Sequence, residues 1–162
     1  MSRPALSQHS LDAGLLAIRL MVGVVFVFHG SQKLFGAFGG PGLEGFAGFL
    51  TQLQVPFPMA SAVLAAVAEF GGGLALIAGV GTRVVALPLV VTMLVAAFKV
   101  HGSAFSAQAG GMEYALTLAV ISAGLGLTGA GAFSIDHLLG SSLKTESSGS
   151  GKIEPRRVTQ QA

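Results

Sequence analysis

Apolar and polar positions fall into long blocks along this chain. Nearly continuous apolar runs cover Ala13–Phe28, Met59–Val80, Val84–Val100 and Tyr114–Leu127. Crossing a hydrocarbon core takes roughly 17–25 residues of helix, and these runs are at or slightly below that length. They predict four transmembrane helices over about residues 13–29, 59–80, 84–100 and 113–128. The first run could be mistaken for a signal peptide, but Asp12 and Arg19 interrupt it and no small-residue cleavage site follows. It is read as a retained helix.

The long connection Ser31–Pro58 has its own pattern. Leu43, Phe46, Ala47, Leu50 and Leu53/Gln54 recur at helical spacing, which predicts a short amphipathic helix lying in the interface. Val55-Pro56-Phe57-Pro58 ends it. The fold class expected is therefore all-α: an integral membrane four-helix bundle over residues 11–140, with this interfacial helix between helices one and two. Residues 1–10 form an N-terminal segment. Residues 141–162, rich in Ser, Gly, Lys, Glu, Arg and Gln, read as a disordered tail.

Composition supports the membrane reading. Apolar residues make up 52% of the chain and charged residues only 10%, against about 25% in soluble domains. Too few polar side chains remain to solvate the surface, so the outer face meets the lipid bilayer. Net charge is only +2 and the basic residues sit at helix ends, which argues against nucleic acid as a partner. Arg3, Arg83 and Lys144 lie on the side of the termini and the second loop, Lys33 and Lys99 on the other. By the positive-inside rule both termini of this multi-pass chain are cytoplasmic. The chain has no Cys, so disulfides, thiolate metal sites and thiol redox chemistry are excluded for it alone.

Two ionisable side chains, Arg19 and Glu69, fall inside the apolar runs. Each costs about 2.5–3.5 kcal/mol at a helix centre, and opposite charges on adjacent helices suggest a buried ion pair. Such a pair can lock two helices together without doing chemistry. A second group gathers at the non-cytoplasmic helix ends: His29, Lys33, Lys99, His101 and Glu113. Arg19, His29 and Lys33 lie within about 80° on a helical wheel, giving helix one a polar stripe. These five residues are the candidate catalytic set. Gly40–Gly45 and Gly124–Gly129 both fit GxGxxG, but neither follows a strand, and no Walker, HExxH or nucleophile-elbow motif is present. The placement of His29 and His101 near helix ends argues against haem ligation, and with Glu113 they show no diagnostic metal-site spacing, so no metal is expected.

At these residues the sequence resembles the DoxX family of small four-helix membrane proteins. The resemblance runs through Arg19, His29-Gly30, Lys33, Glu69, Gly72-Gly73, Gly79, Thr82-Arg83, Ala96, His101 and Glu113, and ends on the Gly129–Asp136 segment. It implies a link to membrane oxidoreductases, the family including a subunit associated with thiosulfate:quinone oxidoreductase. No catalytic residue set comes with it, and no cofactor motif is evident, a quinone being the ligand it suggests. Three functions fit: a quinone-linked redox subunit, a non-enzymatic scaffold anchoring a soluble redox-protein partner, or a small-molecule or ion transporter. A homo-oligomer suits so small a bundle.

Overall fold

The computed structural model describes residues 7–139. The expected tail 141–162 and most of the segment 1–10 lie outside the described residues. Among the described residues, five helices of at least 11 residues make an all-α membrane bundle: α1 (Gln8–Phe35), α2 (Gly42–Gln52), α3 (Pro58–Ala78), α4 (Thr82–Val95) and α5 (Glu113–Thr128). A π-helical turn, Ala96–Val100, prolongs α4. Among the described residues, α1, α3 and α4 with its π turn are long and apolar enough to cross a membrane, while α5 is a shorter apolar helix of 16 residues.

Helix boundaries follow local chemistry. Ser7 caps α1, its hydroxyl accepting from the Ser10 N–H, and Gly36 ends it in the left-handed region at φ 66°. The 28 residues of α1 extend about 42 Å, well past the expected 13–29 at both ends. Asp12 does not stop the helix, because its carboxylate accepts from the Ala132 N–H at 3.0 Å. Pro58 opens α3 at a position where its missing N–H costs nothing. Gly79 and Gly81, both at positive φ, make the tight turn into α4.

The helices pack antiparallel around Val22, Phe26, Leu76, Leu89, Met93, Ala119 and Leu125. The closest approach is α1 on α3. A Cβ on Gly73 would sit 2.7 Å from the Val27 backbone nitrogen, and one on Gly23 would sit 2.9 Å from the Gly73 carbonyl oxygen. A Cβ on Gly30 would collide with the backbone of Phe70. Small residues at such a crossing let two backbones gain dispersion contact that lipid cannot supply. The amphipathic α2 buries Ala47 and Leu50 against Ala62 of α3, with Leu43 and Phe46 beside them. The outer surface carries Leu64, Val84, Leu87, Val120 and Leu127, the last 83% exposed, as a lipid-facing shell.

The segment after α5 folds back onto the bundle. Gly81 N–H donates to Asp136 Oδ1 at 3.0 Å, and Asp136 N–H donates to the Gly79 carbonyl at 3.0 Å. The segment is thereby tied to the α3–α4 turn.

The α1–α3 crossing yields a paired prediction. Gly30→Val should abolish the folded monomer or lower its thermal midpoint in detergent sharply, because the added side chain meets backbone. Gly71→Ala, where a Cβ meets nothing within 4 Å, should be neutral or stabilising by about 0.5–1 kcal/mol. Equal effects of the two substitutions would refute the crossing.

Candidate functional site

The α1–α3 register decides which charges meet. It places Arg19 beside Gly79, which lies ten residues beyond Glu69 along the chain, about 15 Å of helix. Arg19 and Glu69 therefore do not form the expected pair. Arg19 is 1% exposed and donates to the carbonyls of Ala130 and of Phe133, the latter at 2.5 Å. Asp136 supplies the opposing charge nearby. The guanidinium thus satisfies backbone acceptors of the closing segment.

Glu69 takes Lys33 instead. Side chains on a helix lean toward its N-terminus, so Lys33, near the end of α1, reaches back to the level of Gly30 and Phe70. Its Nζ donates to both carboxylate oxygens, to Oε1 at 2.5 Å. It also sits 5.2 Å from the centre of the Phe46 ring, which adds a cation–π contact from α2. The Glu69 side chain is 1% exposed and that of Lys33 22%. The pair is buried on the acid's side and reachable from the lysine's.

Two cavities meet at this pair. The larger, about 550 Å³, lies between α2, α3 and α4, with walls including Phe49, Leu64, Val91 and Val95. The smaller, about 130 Å³, lies between α1, α4 and α5, and is lined by Phe26, His29, Met93, Tyr114 and Leu118 among others. Lys33, Glu69, Ala96 and His101 line both. His29 packs edge-on to Tyr114 with ring centres 6.3 Å apart. His101 lies 2.8 Å through Nδ1 from the Gly110 carbonyl. A carbonyl only accepts, so Nδ1 carries the proton, and Nε2 is the acceptor nitrogen of the neutral ring.

Of the five residues expected at this level, the structure brings His29, Lys33 and His101 together. Lys99 and Glu113 stay apart from them. Lys99 is exposed and lines neither cavity. It lies in the π turn, where the His101 N–H bonds the carbonyl of Ala96, five residues back, at 3.1 Å. The added residue per turn changes which side chains face inward. Glu113 is half-buried at the start of α5 and also lines neither cavity. Tyr114 takes its place, and the one signal for it was that it is the chain's sole tyrosine. The contribution of Phe46 was hidden, because its spacing reads simply as the apolar face of α2. Among the described residues no group of three His, Asp or Glu could hold a metal ion.

A further cavity of about 550 Å³ opens at the opposite end of the bundle, beside Asp12, Arg83 and Asp136. Its two acids are both committed to backbone N–H groups.

Removing one partner of a buried ion pair typically costs about 3–5 kcal/mol, because the remaining charge is left uncompensated. Lys33→Met should therefore lower unfolding stability in detergent by this order, and the double variant Lys33→Met/Glu69→Leu should regain most of the loss. In the parallel cycle, Arg19→Met and Glu69→Leu should be additive within about 0.5 kcal/mol. Strong coupling between Arg19 and Glu69, with none between Lys33 and Glu69, would reverse the assignment.

Comparison with known proteins accords with this architecture. The DoxX family model matches residues 14–102. The chain is 34% identical over 131 residues to "Inner membrane protein YqjF" of Escherichia coli (strain K12), covering 79% of this chain and 93% of that protein. It is 31% identical over 127 residues to "Putative oxidoreductase CatD" of Bacillus subtilis (strain 168), covering 78% and 87% respectively. No solved structure gives a significant match. With the matched region running from α1 through the π turn of α4, and so carrying both the Lys33–Glu69 pair and His101, the chain belongs to the DoxX family.

Proposed function

We propose that this chain is a quinone-binding component of an inner-membrane oxidoreductase. The observation that carries the reading is the Lys33–Glu69 pair set between an apolar cavity and a smaller one bordered by His29, His101 and Tyr114. Ligand sites commonly combine apolar walls with a few convergent polar groups, and a quinone has that same division of a polar ring and an apolar body. The oxidoreductase name of the Bacillus subtilis relative points the same way.

In this reading His29 donates a hydrogen bond to a ring carbonyl oxygen, and His101, whose Nε2 is an acceptor, accepts from the hydroxyl of the reduced ring. The Lys33 ammonium stabilises negative charge developing on the reduced oxygen, and Glu69, in contact with it, relays protons. Reduction to the quinol needs two electrons and two protons. A soluble redox-protein partner supplies the electrons. Quinone titration of the purified protein tests the reading. The His29→Ala/His101→Ala variant should bind at least about tenfold more weakly, the value of one good hydrogen bond to a polar ring. Unchanged affinity would remove the site.

We further propose that α5 is a fourth span, its 16 residues matched by local thinning of the bilayer, and that both termini are cytoplasmic. The absence of native Cys makes single-cysteine labelling clean. A membrane-impermeant maleimide should label Ser103→Cys in intact spheroplasts, but Ser7→Cys and His137→Cys only after permeabilisation. Labelling of His137→Cys from outside would show that α5 does not cross.

A further inference from the structure

We infer that the ligand has a monocyclic head, which occupies the 130 Å³ cavity, and a long apolar tail, which lies in the 550 Å³ groove between α2, α3 and α4. This deepens the quinone reading and rests on it. The size of the head follows from the volume. A cavity of about 150 Å³ accommodates one benzene ring, so 130 Å³ matches a single six-membered ring and is small for a fused bicycle. Its walls fit that ring. Phe26, Met93 and Leu118 offer apolar faces, and the rings of His29, Tyr114 and His101 complete the wall.

The tail follows from continuity. Lys33, Glu69, Ala96 and His101 line both cavities, so a substituent leaving the ring past the small Ala96 side chain enters the groove directly. Apart from the shared charged pair and His101, the groove is walled mainly by apolar side chains of Phe49, Leu50, Leu64, Val91 and Val95. Its volume is far more than one ring needs. Leu64, Val91 and Val95 are also exposed on the lipid-facing surface, at 72%, 53% and 44%. A tailed molecule can therefore enter from the bilayer without crossing water. The π turn begins at Ala96, so the irregular backbone falls where the two cavities join, in keeping with the frequency of such turns at functional sites.

The test compares three probes on the protein in nanodiscs: a decyl benzoquinone, its tailless parent, and a naphthoquinone with the same tail. Partitioning into lipid affects all protein variants alike, so ratios between variants isolate the site. Ala68→Phe, which fills the groove beside Glu69, should weaken the decyl benzoquinone about tenfold or more, the worth of some two buried methylenes, and leave the tailless parent within about twofold. Val91→Trp, at the lipid-facing rim, should do the same and guards against misfolding of the first variant. In the unmodified protein the naphthoquinone should bind at least about tenfold more weakly than the decyl benzoquinone, and Leu118→Ala, which enlarges the head cavity, should close that gap. Equal loss of tailed and tailless probes in both groove variants overturns the tail assignment. Equal affinity for the two ring systems overturns the head assignment. Failure of all three probes to bind the unmodified protein overturns the quinone reading itself, which separates that failure from the other two.

Discussion

Backbone contact between α1 and α3 governs most of this molecule. Gly23, Gly30 and Gly73 carry no side chains at the crossing, so the two helices approach until main chain meets main chain. In lipid the hydrophobic effect gives no preference for helix association, and the gain comes from dispersion and from satisfied polar groups. A crossing fixed by backbone collision tolerates little sliding. Once Gly30 lies against Phe70 and Gly23 against Gly73, every other residue of α1 is assigned a depth against α3. Arg19 arrives at the α3–α4 turn and Lys33 at Glu69.

The two buried cations are then accommodated in different ways. Arg19 has a planar fork of donors suited to several acceptors at once, and it takes the carbonyls of Ala130 and Phe133. It fastens the segment following α5, which Asp12 and Asp136 hold through further backbone bonds. Lys33 is a compact point charge on a flexible stem and meets one carboxylate and one aromatic face. The arginine is enclosed in backbone and serves architecture. The lysine remains reachable beside open volume, which is the arrangement expected of a group that meets a ligand.

That open volume depends on an irregularity. If α4 stayed regular to its end, its last side chains would keep one face inward. The π turn over Ala96–Val100 instead carries His101 to the wall of both cavities, while Lys99 is left facing outward. The small side chain of Ala96 lines both cavities. The amphipathic α2, docked by Ala47 and Leu50, forms the remaining wall and brings Phe46 over Lys33.

Much of this was written in the order of the residues. Long apolar blocks and sparse charge leave no alternative to a helical membrane fold, because only such a surface suits lipid and only helices or closed barrels satisfy their own backbone there. The spacing of Leu43, Ala47 and Leu50 located α2, and the polar stripe of His29 and Lys33 on α1 followed from helical period alone. Pairing across helices was a different matter. Period gives the face on which a residue lies but not the depth at which it meets a neighbour, so Arg19 and Glu69 seemed natural partners when Lys33 was the true one. Nor could a regular period anticipate the π turn that separates Lys99 from His101, or the replacement of Glu113 by Tyr114. The sequence by itself determined the membrane helices and their polar faces. Only the tertiary structure decided which polar groups meet, because close glycine contacts between distant segments set the register and no local pattern encodes it.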